Sequence, residues 1–364
     1  MPASCAAHRG QIHAILLAWG VPSEHADRIA DALAWADLHG VDSHGISMIA
    51  EYDGRCRAGR IKVAPEIRIL RETPVSALID GGGGFGHVAY GIATDLVIAK
   101  ARQSGIAVVA VRNSSHFGAV GYYTGRAADA GLVAMGATSA SGIRVAPTSG
   151  AEAKLGTDPW SFVAPSRGNK PFLLDMATTA VAYGKIRNRM NEEQPMPAGW
   201  GLDSEGRATT DPFDVTRRGG FMTPLGGSRE SGSYKGYGLS VMVNILTSCL
   251  AGSTLITDPM HTKKPRGFDI GHFILALDPG LFREEGEFER DVASLCAALR
   301  ATRPVEPAYP VLVAGDPQWA TAEQRSRDGI PIAPGLAAKL RKVAETCGVP
   351  WTLDEMMEPA TSLE

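Results

Sequence analysis

Residues 106–123 read IAVVAVRNSSHFGAVGYY, and this stretch decides the fold class. Ile106–Val111 is a nearly continuous apolar run rich in β-branched residues, the signature of a strand buried on both faces. GYYTGRAADAG (121–131) is a short helix that ends at Gly131, and LVAMGATS (132–139) is a further strand. Strand, helix and strand in close succession place the chain in the mixed α/β class.

The same alternation continues outward in both directions. Upstream, VSALID (75–80) is a strand followed by a glycine turn and a helix through Lys100. Residues 8–40 are helical, with Ser23 as an N-cap, Ile29, Leu33 and Ala36 at helical spacing and Gly40 as the stop. A second helix starts near Gly45 and carries Ile49 and Tyr52. Downstream, 162–186 holds two strands joined by SRGNK and then a small-residue helix, whereas 187–232 reads as loops. KGYGLSVMVNILTSCLAGS (235–253) is helical, with Leu239, Met242, Val243, Leu246 and Leu250 in one stripe. FILALDPGLF (273–282) is a strand, and the tail from 319 is helical, most clearly over Pro334–Glu345.

Composition removes whole classes of function. The 364 residues carry 36 basic and 39 acidic side chains, a net charge of −3 with no long run of one sign. A nucleic-acid footprint is therefore missing, and so is a polybasic cluster for anionic lipid. The N-terminal apolar core, Ala14–Trp19, is too short for a signal peptide and reads as part of a helix. No run of about 18 apolar residues suggests a membrane span. The five cysteines (5, 56, 249, 296, 347) include no CxxC pair, which points to a reducing compartment, the cytoplasm, and away from a zinc knuckle.

Two histidines stand where chemistry is expected. His116 follows the buried strand directly, at the end where α/β sheets place ligands, with Asn113, Ser114 and Ser115 as polar neighbours and Gly118 permitting close approach. His44 lies in GVDSHGIS between two turn-prone glycines. Imidazole suits proton exchange near neutrality. The nine histidines include no HxH or HxxxH pair, so no metal site is expected, and no GxSxG elbow supports nucleophilic hydrolysis. Gly81, Gly83 and Gly86 formally match GxGxxG, yet no acidic residue follows where a ribose needs one, and Arg112 is the nearest polar candidate there. The glycines are better read as a tight turn. Three other places suit a nucleotide: Asp175 at the end of LLDMATT (173–179), Lys235 in the Gly-rich helix entry SGSYKGYG (231–238), and Asp316 in AGDPQW (314–319).

Together, DSHGISMIAEY (42–52), NSSHFGAVGYY (113–123), GTDPWSFVAP (156–165), DMATTAVAYGK (175–185), TTDP (209–212), PLGG (224–227) and KGYGLSVM (235–242) resemble the malate/L-lactate dehydrogenase family. The match is collinear from about residue 10 to 350. The resemblance implies a homodimeric oxidoreductase with a non-Rossmann NAD(P)-binding fold and a mixed sheet, flanked by N- and C-terminal helical segments. It implies a helical segment over 1–65, a substrate and dimerisation domain over 66–126 joined by 305–364, and an NAD(P)-binding domain over 127–304. By resemblance, His44 and His116 are catalytic: His44 polarises the carbonyl of a 2-oxo acid and His116 holds or relays the proton, with reduction of a cyclic ketimine such as piperideine- or pyrroline-2-carboxylate as the alternative. Ser43 supports the site, Met48 and Tyr52 line the side-chain pocket, and Arg144 offers a carboxylate partner. Ser141, Asp175, Met176, Ala177, Lys235, Gly236, Gly315, Asp316 and Pro317 are the expected dinucleotide contacts. The cofactor is NAD or NADP, with NAD favoured, and Arg187 and Arg189 are candidate partners for a 2′-phosphate.

Two positions depart from the family's pattern. Met48 occupies a place where many members carry Arg, which resembles the hydroxycarboxylate dehydrogenase branch with bulkier, less acidic substrates. Asp158 replaces the Asn of the common GTNP, and an acidic group pointing into the site would disfavour dianions such as malate.

Overall fold

The structure is a computed structural model that describes residues 2–168, 170–258 and 267–354. The last ten residues of the segment expected to join the substrate domain, 355–364, lie outside the described residues. Helices α1 (Cys5–Ala18), α2 (Ser23–Leu38) and α3 (Ile49–Arg57) open the chain. They are followed by β1 (Arg68–Thr73), β2 (Ser76–Asp80), α4 (Gly86–Ser104), β3 (Ile106–Ser114), α5 (Val120–Asp129), β4 (Val133–Thr138), β5 (Trp160–Ala164) and β6 (Phe172–Met176). Next come α6 (Tyr183–Asn191), β7 (Gly201–Leu202), β8 (Ala208–Thr209), α7 (Pro212–Arg217), β9 (Phe221–Met222) and α8 (Ser233–Asn244). The described chain closes with β10 (Ile270–Leu277), α9 (Glu287–Arg300), α10 (Asp316–Asp328) and α11 (Pro334–Thr346).

Seven strands form one sheet in the order β1-β2-β3-β10-β4-β5-β6. Only β2 and β3 pair in parallel; every other neighbouring pair is antiparallel. That mixed sheet is not a doubly wound one, whose strands run mostly parallel. Strand β10 sits between β3 and β4, so the sheet continues across the boundary expected at residue 126. Helices α4 and α5 cover one face, where Ala89, Ala93, Val97, Val120, Tyr123 and Ala127 meet Val109 and Val111 in the main core. A second core joins α1, α2 and α3 to α11 through Ile12, Leu16, Ile29, Leu33, Ile49 and Leu340.

The glycine turn packs against β3 and the loop before β1. Gly81 and Gly83 donate their N–H groups to the carbonyls of Arg112 and Asn113 (2.9 and 2.8 Å). A Cβ on Gly86 would lie 2.0 Å from the Ser115 carbonyl, so only glycine lets α4 sit this close to β3. These two amides tie the turn to β3.

Four local expectations are corrected. Thr178–Ala182 is irregular, and the helix after β6 begins only at Tyr183. The stretch 187–232 contains a second sheet, β8-β7-β9, and α7. The apolar stripe of 235–253 is only partly covered: Val243 is buried, Leu239, Met242 and Leu246 are half-buried, and Leu250 is 60% exposed. Ser23 is the first residue of α2 and not its cap, which is Pro22.

Candidate active site

His44 ends a short 3-10 turn, Asp42–His44, and a second turn, Ile46–Met48, leads into α3. The bend between them is at Gly45, where a Cβ would fall 1.8 Å from Asp37 Oδ1. Asp37 occupies that space because it braces the loop. Its Oδ2 accepts the Ile46 N–H at 2.8 Å and faces His8 Nδ1 at 3.3 Å. Burial pushes the Asp37 carboxyl upward, and His8 opposes that rise. Arg325 of α10 bonds both the Asp42 carboxylate and the Asp37 carbonyl, tying the loop to the C-terminal part of the chain.

His116 emerges past the end of β3 with its ring 5.5 Å from that of His44, the planes inclined by 30°. Tyr52 Oη lies 2.7 Å from His116 Nδ1, and the Gly118 N–H donates to the same nitrogen at 3.3 Å. A nitrogen that accepts carries no proton, so in the neutral ring the proton is on Nε2. Burial lowers the His116 pKa well below its ordinary value, and His44 and His87 add to that. Burial also lowers His44, whose Nδ1 is 2.7 Å from Ser43 Oγ. Both rings are therefore neutral at pH 7.

The two histidines face a cavity of about 1050 Å³. Ser43, Ser141, Arg144, Arg187, Asp175, Met176, Ala177, Gly315 and Pro317 line it with them, so most of the predicted contacts are brought to one place. Asp175 spans from the cavity wall to α5, accepting the Gly121 N–H at 2.7 Å; its surface opens onto the cavity, and the loss of water to the surrounding protein raises its carboxyl to about 6. Gly315 reaches the wall because Leu173 of β6 donates its N–H to the Ala314 carbonyl at 3.2 Å. The Arg144 guanidinium lies 4.2 Å from the centre of the Tyr183 ring.

Several predicted contacts lie elsewhere. Met48 packs against the second core, and Ser47 takes its place in the wall. Tyr52 is fully buried behind His116 and does not line the pocket. Asp316 pairs with Arg300 (2.7 and 2.9 Å) and accepts the Val313 N–H, holding the turn beside the cavity. Lys235 is exposed outside the wall, and Gly236 packs on the Leu225 backbone, 2.3 Å from where a Cβ would sit. Arg189 bonds Gln194 and does not line the cavity. Asp158 does not point inward: fully buried, it accepts from Ala140 N, Gly156 N, Ser240 Oγ and Asn244 Nδ2. The expected penalty against dianions is therefore withdrawn. Sequence reasoning missed Asp37, His8 and Arg325; no spacing links Arg325 to Asp42, 283 positions away.

The wall suits a dinucleotide. Helix α6 opens onto it through Ala182, Tyr183, Gly184 and Lys185, and no side chain caps its first turn. Free N–H groups at a helix start, with Lys185 and Arg187 beside them, fit phosphate oxygens. Small residues, Ala177, Gly142 and Gly184, let a ligand reach the backbone.

Residues 4–341 match the family model for malate/L-lactate dehydrogenase. The chain belongs to that family. It is 38% identical over 336 residues to a malate dehydrogenase of Pyrococcus abyssi, covering 92% of each chain. It is 34% identical to an L-sulfolactate dehydrogenase of Methanocaldococcus jannaschii, covering 92% of this chain and 94% of that one. A hydroxycarboxylate dehydrogenase B of Escherichia coli is 32% identical, with 93% and 92% covered. Among solved structures, malate dehydrogenase from Entamoeba histolytica superposes with a TM-score of 0.92 at 31% identity, covering 96% of this chain and 99% of that one. Δ1-piperideine-2-carboxylate reductase from Pseudomonas syringae pvar. tomato gives 0.83 at 27%, with 94% and 100% covered. Dehydrogenase family membership implies a nicotinamide cofactor and a small hydroxy or oxo acid substrate.

Proposed function

We propose that this family member is an NAD(P)-dependent oxidoreductase of a 2-oxo/2-hydroxy carboxylic acid, with His44 and His116 as its acid–base pair. The observation that carries this reading is the pair itself: two neutral imidazoles 5.5 Å apart on one cavity wall, with Tyr52 closing the back of His116. Ser43 donates to His44 Nδ1 and leaves a proton on Nε2, which polarises the substrate oxygen. His116 delivers its Nε2 proton to that oxygen in reduction and takes it back in oxidation. The nicotinamide, when bound, supplies or accepts hydride at the substrate's C2. Ser141, Asp175, Met176, Ala177, Gly315 and Pro317 hold the dinucleotide, the start of α6 receives its phosphates, and Arg144 meets the substrate carboxylate.

The experiment follows NADH and NADPH absorbance against pyruvate, oxaloacetate, phenylpyruvate, sulfopyruvate and piperideine-2-carboxylate. Turnover of an oxo acid is expected, and His44→Gln or His116→Ala is expected to lower kcat about 100-fold while dinucleotide binding persists. Near-normal turnover in both variants overturns the assignment of roles. A second reading, reduction of a cyclic ketimine to an amino acid, is favoured by the likeness to the piperideine-2-carboxylate reductase. Turnover of the imine alone selects it. Arg187 at the wall is the residue to mutate when NADH and NADPH are compared. We place the enzyme in the cytoplasm, as a homodimer whose contact uses the outward apolar face of α8 and the turn after it.

A further inference from the structure

Neutral His116 poses a problem of proton balance. When its Nε2 proton passes to the substrate oxygen, Nδ1 must take one up, or the ring is left as an anion. The group on Nδ1 is the Tyr52 hydroxyl, and burial holds the Tyr52 pKa far above its ordinary range. Tyr52 therefore cannot stay ionised and must itself be refilled. With the front cavity filled by dinucleotide and substrate, the refilling proton has to come from behind.

Behind lies His87, on α4. Its ring stands edge-on to Tyr52 at 5.5 Å, and a Cβ on Gly118 would meet its Nε2 at 3.3 Å. His87 is fully buried, yet neither ring nitrogen has a hydrogen-bond partner in the chain. It also forms part of the wall of a second, polar cavity of about 370 Å³ between α2, α4 and α5. His87, Gly91 and Asp95 succeed one another at four-residue spacing on one face of α4, and all three line this cavity. Arg28 of α2 and Arg126 of α5 both pair with Asp95 there. Gly91 presents no side chain; the Arg28 side chain, with Nη1 3.4 Å from where a Cβ would sit, lies over it and lines the passage from Asp95 towards His87 with a hydrogen-bond donor. A cavity that is polar and roomy holds water, and buried ring nitrogens are the partners such water seeks.

We infer that His87 and the polar cavity against it form the route by which the proton used at His116 is replaced from solvent. This rests on the acid–base reading of His116 proposed above. In reduction the Nε2 proton goes to the substrate oxygen, the Tyr52 proton goes to Nδ1, and a proton from water held at His87 restores Tyr52. His87 gives a proton from one nitrogen and takes one from the cavity on the other, so the proton that keeps His116 neutral during the step comes from bulk water. The His116 ring is left with its proton on Nδ1, the tautomer from which oxidation starts. Before the next reduction it returns that proton outward along the same chain while Nε2 is reprotonated from the emptied front cavity. The dinucleotide meets the hydride side of the balance, and oxidation runs the same chain outward.

The test uses the full-length protein and three variants. In His87→Ala, kcat for reduction falls about tenfold, the solvent deuterium effect on kcat grows, and added imidazole restores part of the rate. His87→Gln keeps polar atoms in the site but cannot switch tautomers; it is expected to fold normally and to lose rate without imidazole rescue. Gly91→Leu blocks the passage with His87 intact and slows turnover in the same way, with dinucleotide binding unchanged. A high-resolution crystal structure of the unliganded protein is expected to show ordered water on the His87 nitrogens and along the Gly91 face. A dry His87, or variants that keep the parent's kcat and isotope effect, overturns the inference. If the parent turns over no substrate, the proposed function fails and the water structure alone decides the route.

Discussion

Tyr52 Oη stands 2.7 Å from His116 Nδ1, with no exposed surface of its own. A residue that sequence placed in the substrate pocket is thus a support behind the His116 ring. Tyr52→Phe removes one hydroxyl and leaves the packing intact. We expect kcat to fall about tenfold to 100-fold, with KM for the dinucleotide and the melting temperature little changed. An equal loss of dinucleotide affinity would assign Tyr52 to binding.

Asp158 gives a prediction about specificity as well as stability. Its φ of +33° lies in a region that Asn and Asp tolerate better than other side chains. Four donors converge on its buried carboxylate. Asp158→Ala leaves them unpaired and is expected to cost about 1–3 kcal/mol in urea unfolding. Asp158→Asn costs less and leaves the ratio of oxaloacetate to pyruvate turnover where it was. A changed ratio would mean that the carboxylate acts on substrate after all.

The sheet's central elements were legible because their signals are local. Ile106–Ser114 is covered on both sides of its middle, as its unbroken apolar run implies, and Gly131 (φ +81°) follows the helix it was expected to end. His44 and His116 were visible through their glycine- and serine-rich surroundings. What stayed hidden depends on tertiary geometry. Whether Met48 faces the cavity is set by the two 3-10 turns ahead of α3, which direct Ser47 to the wall and Met48 into the core. The direction of Asp158 is set by Ser240 and Asn244, more than 80 positions away. The stripe of 235–253 has helical periodicity, but periodicity alone does not say whether the covering partner is the same chain or another.

That stripe leads to a test of assembly. Beside its exposed end, Leu250 at 60%, Tyr234 and Ile245 are 57% and 52% exposed, so apolar surface is left uncovered along this segment. Leu250→Glu together with Ile245→Glu is expected to convert a dimer into monomers, read by light scattering after size exclusion. A wild-type monomer, or a dimer indifferent to these charges, removes the turn after α8 from the interface.

The lowered pKa values of His44 and His116 fix the shape of a pH profile. Oxidation of a hydroxy acid needs a neutral imidazole to accept the substrate proton. Burial disfavours the charged ring, so each histidine takes up a proton only at a pH below its ordinary 6.5. The rate of oxidation, as kcat/KM, is therefore expected to hold level from pH 8 through about 6.5 and to decline only in more acid solution. The same sign governs stability. His87 and His272 are pushed down to about 3, so between that value and 6.5 the unfolded chain binds protons that the folded chain refuses. Their contribution to stability falls as pH drops through that window. Asp175, raised to about 6, works the opposite way over part of it, and so do Asp37 and Asp158, whose carboxyls burial also raises, so the fall reports the histidines' excess over these carboxyls. Thermal melts are expected to show a lower midpoint at pH 5 than at pH 7.5, with a smaller difference in His272→Gln. A kcat/KM limb already falling above pH 7 would show that a histidine is charged in the free enzyme, and the burial argument for a neutral pair would fail.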